Sequence, residues 1–445
     1  MRELKDYLTK EIIPFVQKRF LRYNKSIIDE MRTLVELSLH NLHDGKILID
    51  NEEVYSFEKF FEQYNNYTNI SERNLKIDIE NGICDCGEAV DNLKHTLKYY
   101  YSQIIRLDNC FKNNKKDINA NLGYINKILA SINYYQINVT QLHFINNKID
   151  KIFNKYILTC IKLIKTLVML DLSNNSLNEE NLKELFEYLK QNKTIKILYL
   201  NSNNLSSSCG FYLADCFKKN ITIEILHLSH NKINQSGFDS FLTILGNDNS
   251  TLKELDISYN ELSLEDFKLL SNYLNLNPPL KSLDISGNNL QNKAANLIGV
   301  TFKKLSNLKE IKLNDCAIND ESAPQILMYL NESNITNLEI DSNKFGPMAP
   351  MLILKKIQVS NKLKYISFQK MQFQPYFVDM IIQAININTS IERVNLKQNK
   401  IKEEDLKKFV DAVSKLKSLK ILLSRDMVPS NAHEIISGNR GIILQ

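Results

Sequence analysis

Residues 167–177 read LVMLDLSNNSL, residues 195–205 read IKILYLNSNNL, and residues 223–233 read IEILHLSHNKI. A pattern returning at a fixed interval outranks every local signal in deciding what a chain can fold into. Aligned on the asparagine of L-x-x-L-x-L-x-x-N-x-L, the register runs through Asn147, Asn175, Asn203, Asn231, Asn260, Asn288, Cys316, Asn343, Met371 and Asn399. The spacings are 28, 28, 28, 29, 28, 28, 27, 28 and 28 residues. The apolar frame holds in each unit, as in Leu167, Leu170, Leu172 and Leu177, or Ile391, Val394, Leu396 and Ile401.

The L-x-L centre alternates in and out, which predicts a strand burying one face. The asparagine amide both donates and accepts, so it can satisfy backbone groups where the chain turns out of the strand. Cysteine at 316 substitutes in part; Met371 cannot, so its turn is expected to be less well tied. Apolar residues then recur 7, 10, 11 and 14 positions after the asparagine: Leu182, Leu185, Phe186, Leu189; Phe238, Phe241, Leu242, Leu245; Leu406, Phe409, Val410, Val413. That spacing predicts one buried helix face. A strand and a helix in 28 residues cannot bury their apolar faces alone, so the units must stack, parallel strands inside and helices outside.

With these residues in view, the chain resembles the leucine-rich repeat proteins of the ribonuclease-inhibitor type over roughly residues 135–425. The resemblance implies an α/β solenoid, a horseshoe with parallel strands on the concave face and helices on the convex face. It also implies protein binding through the concave strands and no catalysis. The expected division is an N-terminal α+β cap or degenerate-repeat region at 1–130, ten repeats at 131–425, and a C-terminal cap and tail at 426–445. In the first region an amphipathic stretch (Leu4, Leu8, Ile12, Phe15, Val16, Phe20) precedes strand-like pieces at 33–43, 46–50 and 74–83, with a helical piece, YSFEKFFEQY, among them.

The frame residues answer to folding, so specificity has to sit in the variable positions of L-x-x-L-x-L that face out of the sheet. Met169, Ile197, Tyr199 and Ile225, with His227 beside them, make an apolar–aromatic patch. Glu254, Asp256, Asp284, Glu310 and Glu339 follow as an acidic stretch interrupted by Lys312, and Lys370, Arg393 and Lys397 then turn the surface basic. Strands lie ~4.8 Å apart, so ten of them line an arc of roughly 45 Å, enough for a helix or a small domain. Exposed isoleucines on neighbouring strands are costly unless covered. The expected partner is a protein, with a basic segment against the acidic stretch.

Composition narrows the alternatives. Lys and Arg number 56 against 51 Asp and Glu, interspersed, which does not mark a nucleic-acid binder. Seven cysteines are too few and too scattered for a disulfide framework. The first residues show no secretory signal, and the most apolar stretch, YILTCIKLIKTLVML, is broken by two lysines, so a cytoplasmic protein without membrane spans is expected. No phosphate-binding G-x-x-x-x-G-K-[ST] occurs and no catalytic triad stands out; neither enzyme activity nor a cofactor is expected. His40, His43, Cys84, Cys86 and His95 do not have the spacing of a structural zinc site. Asn-x-Ser/Thr triplets are frequent in so asparagine-rich a chain and carry little meaning.

Among relatives of this repeat type, the layout of a folded N-terminal part before the repeats is most similar to the leucine-rich-repeat subunit of the ciliary nexin–dynein regulatory complex. That resemblance implies a structural subunit of a larger cytoskeletal or axonemal assembly. Heavy use of Asn, Lys and Ile and the absence of Trp, as in AT-rich genomes, agree with such a setting. The alternative is a small-GTPase regulator resembling Ran GTPase-activating protein, whose acidic tail has no counterpart in SGNRGIILQ, or a soluble adaptor or effector.

Overall fold

The computed structural model describes residues 139–149, 157–247, 251–290, 293–371, 375–416, 419–437, 439 and 441–445, with the backbone of 47–49, 52–54, 75–76 and 104–106. Two compact units divide the chain: residues 1–76, 84–105 and 123–139 in one, and 77–83, 106–122 and 140–445 in the other. In the first, β1 (Ile47–Ile49) pairs antiparallel with β2 (Glu52–Val54). β3 (Leu75–Lys76) and β4 (Ile104–Arg106) are short strands. The expected N-terminal helix, the strand-like piece at 33–43 and the histidine and cysteine positions before residue 100 lie outside the described residues.

The second unit is built from the repeat. Its strands are β5 (Gln141–His143), β6 (Met169–Asp171), β7 (Ile197–Tyr199), β8 (Ile225–His227), β9 (Glu254–Asp256), β10 (Ser282–Asp284), β11 (Glu310–Lys312), β12 (Asn337–Glu339), β13 (Tyr365–Ser367), β14 (Arg393–Asn395), β15 (Lys420–Leu423) and β16 (Ile442–Leu444). They form one open parallel sheet in sequence order, twelve strands from β5 to β16. The sheet thus runs through residues 426–445, where the spacing is lost: a 3-10 turn at Arg425–Met427 and a short helix, α11 (Ala432–Ile435), replace the usual long helix before β16.

Among the described residues ten helices precede α11: α1 (Leu158–Leu163), α2 (Glu179–Leu189), α3 (Ser207–Phe217), α4 (Gln235–Asn247), α5 (Leu264–Asn275), α6 (Lys293–Gly299), α7 (Ala323–Ile326), α8 (Met348–Val359), α9 (Pro375–Ile387) and α10 (Glu403–Lys415). Asn178 and Ser263 cap α2 and α5 with reciprocal capping boxes, satisfying N–H groups a helix start leaves unpaired. The expected apolar stripes face inward: Leu182, Leu185, Phe186 and Leu189 are buried, as are Phe238, Phe241, Leu242 and Leu245, while Val410 is only half-buried. A helix is ~10 Å wide and a strand ~4.8 Å, so stacked units curve with the sheet on the inner side.

The asparagines form a buried ladder. Asn175, Asn203 and Asn231 each accept from the backbone N–H of the ladder residue one unit earlier, at 2.8–3.0 Å. Their amides donate back to carbonyls of their own and the preceding strand, as from Asn231 to Leu228 at 2.8 Å and Leu200 at 3.1 Å. The residue before each of these ladder positions lies in the left-handed region: Ser202, His230, Tyr259 and, before Cys316, Asp315 have φ of 51–54°, and Gly287 has 67°. At 316 the cysteine sulfur keeps weaker bonds to Ile285 O and Asn314 O at 3.5 and 3.4 Å. The Met371 N–H donates to the Asn399 side-chain oxygen at 2.7 Å, but the Met371 side chain has no amide to offer the unit before it.

A second set of asparagines ties the helix-to-strand turns. Asn220 donates to Leu189 O at 2.6 Å and accepts from Thr222 and Ile223 N–H, and Asn388 does the same two-way service for Ile357 O, Ser390 and Ile391. Both begin Asn-x-Ser/Thr triplets, and both are buried with their amides engaged, so the triplet here is a turn motif.

Candidate functional site

Strands β7 to β12 each repeat the pattern out–in–out, so two rows of side chains cross the sheet. Strand register sets Met169 beside Ile197 and Ile197 beside Ile225, with Glu254 next; in the second row it sets Tyr199 beside His227, then Asp256, Asp284, Lys312 and Glu339. The sequence-derived patch is therefore contiguous: Met169, Ile197, Tyr199, Ile225 and His227 are all half-buried on adjacent strands. Tyr199 and His227 stack with ring centroids 4.3 Å apart at 19°. The His227 Nε2 meets Glu254 Oε1 at 2.7 Å, joining the apolar patch to the acidic stretch. Hydrogen bonding to His227, against an opposing burial effect, holds the Glu254 carboxyl below its usual range.

The row is covered at its start, where His143 and Asp171 are buried. At the far end Arg393 is exposed and Lys397 half-buried. Within the acidic stretch, Lys312 lies 3.4 Å from Glu310 and 3.9 Å from Glu339. Burial alone would lower its pKa, but Glu339, Glu310 and Asp284 outweigh burial and raise it.

Asp256 and Asp284 have a second task that the alternation does not reveal. Each carboxylate accepts from the backbone N–H two residues on, Asp256 from Ser258 and Asp284 from Ser286, both at 2.9 Å. Asp171 does the same for Ser173. These acceptors pin the turn out of the strand. They also hold Asp256 and Asp284 side by side with no Lys or Arg within ion-pair distance of either among the described residues. Burial first, then the Asp256 charge, raises the Asp284 pKa to about 6.

That shift makes a stability prediction. An unfolded aspartate titrates near pH 3.9, so the folded state binds this proton more tightly. Stability is then fullest below about pH 4, declines as pH rises toward 6, and stays reduced above it. Asp284→Asn keeps an oxygen for Ser286 and removes the charge. It is expected to stabilise the protein at pH 7.5 by roughly 1–3 kcal/mol, the gain vanishing near pH 4. Denaturant unfolding at both pH values is the check, and an equal gain at the two would contradict the assignment.

Residues that the alternation missed sit on the rim, at the left-handed position before each ladder residue. His230 and Tyr259 stack there, centroids 4.3 Å apart and nearly coplanar at 6°. The Tyr259 ring lies against Gly287, where any Cβ would overlap it. Burial, then the charge of Asp315, raises the Tyr259 pKa. The lone glycine among these positions, Gly287, was the one signal the sequence offered.

Elsewhere, burial pushes the thiols of Cys160 and Cys216 up to about 12, so both are packing residues. Among the described residues no group of three metal-ligating side chains comes together, and no helix is long and apolar enough to cross a membrane.

One comparison with known protein families agrees with the repeat. The family model described as Leucine Rich repeat matches residues 219–241, 248–270 and 276–298. No curated protein matches the sequence. Among solved structures, the leucine-rich repeat-containing protein LegL7 from Legionella pneumophila is 17% identical, with 67% of this chain and 89% of that chain covered at a TM-score of 0.43. The Rad7 and Elc1 complex in yeast offers a chain 14% identical, with 88% and 98% covered at a TM-score of 0.46. The chain carries leucine-rich repeats, and its twelve parallel strands and outer helices form a leucine-rich-repeat solenoid.

Proposed function

We propose that the chain is a non-catalytic interaction scaffold that takes a protein partner on the concave face of the solenoid. The observation that carries this reading is the contiguous patch of Met169, Ile197, Ile225, Tyr199 and His227, set beside an acidic stretch in which Lys312 is the one interspersed cation. Apolar side chains on three adjacent strands gain from being covered, and the neighbouring acidic stretch favours a basic segment in whatever covers them. Asp284 adds to the argument: it is expected to leave the fold less stable at neutral pH than an asparagine would, which suits a residue kept for contact. The basic end at Arg393 and Lys397 offers the same partner an acidic counterpart, or a second one its own place.

For the cellular setting, the reading is a subunit of a larger cytoskeletal or axonemal assembly in the cytoplasm, on the layout and residue usage described above. Salt and detergent fractionation of source cells tests it: release by detergent alone would remove the axonemal setting and leave an adaptor or GTPase regulator.

Ile197→Ser with Ile225→Ser tests the face itself. The double variant is expected to lose about 2–4 kcal/mol of partner affinity, tenfold or more in binding. Phe211→Ser, an exposed position on the helix side, should bind as the unaltered protein does. Affinity capture from source cells with all three forms, each first shown folded by circular dichroism, decides the matter: equal capture by the double variant would move the interface off the concave face.

A further inference from the structure

We propose that the corner formed by Asp256, Asp284 and the His230–Tyr259 stack seats an arginine side chain of the partner. The inference rests on the concave-face reading and names the chemistry of one contact within it.

The two aspartates stand directly opposite in the parallel register of β9 and β10, ~4.8 Å apart along the sheet. One oxygen of each is committed to a turn N–H, which fixes both side chains in place. The basic residue nearest in the row, Lys312, is engaged by Glu310 and Glu339. The pair therefore presents like charges in no ion pair with a Lys or Arg among the described residues, and Lys312 on the next strand offsets Asp284 only in part. A cation arriving from outside gains its attraction to both and removes part of their repulsion.

The surroundings choose between the two natural cations. An ammonium is a compact, strongly hydrated point that meets one carboxylate well. A guanidinium is flat and forked, spans neighbouring carboxylates with separate N–H groups, and tolerates a flat aromatic surface along its plane. The rim supplies such a surface: Tyr259 is 37% exposed, and its ring is kept in place by His230 stacked on it and by the space left at Gly287. His230 is itself exposed. Cations over aromatic rings add to the attraction when partly desolvated. Charge, spacing and the flat shelf together fit arginine better than lysine.

The test uses the full chain and two fluorescein-labelled octapeptides of alternating serine and arginine, or serine and lysine, read by fluorescence polarisation at low salt. The arginine peptide is expected to bind at least fivefold more tightly. Tyr259→Ala and Asp284→Asn should each remove that preference, and Asp379→Asn, an exposed carboxylate on α9, should leave it unchanged. The Asp284 variant is expected to be the more stable protein at neutral pH, so its loss of binding would not reflect unfolding. Lowering the pH from 7.5 to 5 should weaken arginine binding as Asp284 takes up a proton beside Asp256, Lys312 and Tyr259. His227 and His230 are the other titratable groups beside the corner, so the part due to Asp284 is the part that Asp284→Asn abolishes. Equal binding of the two peptides, or a preference that survives both substitutions, overturns the proposal. If that happens while Ile197→Ser with Ile225→Ser still abolishes partner capture, the arginine corner falls and the concave-face reading stands.

Discussion

Replacing Gly237 by alanine is expected to destabilise the solenoid by about 2–4 kcal/mol, at the upper end of what over-packing does. Helices α3 and α4 meet backbone to backbone at this point. A Cβ on Gly237 would overlap the Ser207 carbonyl oxygen, and one on Gly210 would overlap the Gly237 carbonyl. The Ser207 hydroxyl reinforces the contact by donating to Asn234 O at 2.6 Å and accepting from Gly237 N–H at 3.3 Å. Neither side can yield as a flexible side chain would, so the helices must separate and expose Cys209, Leu213 and Phe238. Chemical denaturation of Gly237→Ala and of Gly246→Ala separates the cases. At Gly246 the close atom is the tip of Leu276, which can rotate away. Similar losses at the two positions would show that lost chain flexibility, rather than the close approach, sets the effect.

Asn231→Ala is expected to cost about 3–5 kcal/mol, because it strands several buried backbone groups at once. Its oxygen serves the N–H groups of Asn203 and Leu205, both at 3.0 Å, and its amide serves Leu200, Leu228 and Ser229. The chain itself supplies the control. Asn231→Cys copies residue 316, whose sulfur keeps the carbonyl contacts but is a poor acceptor; it should lose roughly half as much. The converse substitution, Cys316→Asn, is expected to stabilise by about 1 kcal/mol. Equilibrium unfolding of the three variants gives the comparison, and a Cys316→Asn protein less stable than its parent would break the argument.

The strands and helices of the solenoid were legible because a 28-residue period over-determines them. Each of β5 to β14 begins two residues before a frame leucine's outward neighbour, where the alternation placed it. The outward rows could be read for the same reason. What periodicity could not show was the double role of Asp256 and Asp284. A residue in a variable position reads as surface, and only the serine two residues later, in Asp171-Leu172-Ser173, Asp256-Ile257-Ser258 and Asp284-Ile285-Ser286, hints that the carboxylate turns back on its own chain. A lysine at either position, natural as a charge-reversal test, would therefore disturb the turn as well as the surface, and asparagine is the cleaner change. The rim stack was missed because its position before each asparagine varies freely in type, from Ser202 to His230, Tyr259, Gly287 and Asp315. What those residues share is a backbone angle, which a sequence does not print. The continuation of the sheet to β16 was hidden by the loss of the long helix that elsewhere marks a unit.

From Asn147 to Asn203 each ladder asparagine is served by the unit after it at an offset of 28 residues. A whole block of 28 residues, cut out or copied anywhere along an unbroken run such as Asn175 to Asn231, would leave every amide with a partner of the same kind. A cut of half that length would strand the groups on both sides of the join. The arc can therefore be lengthened or shortened by descent in whole units without the interior being solved afresh, while the outward rows are reshuffled at each such event. Partner choice is the part of this molecule that can change fastest.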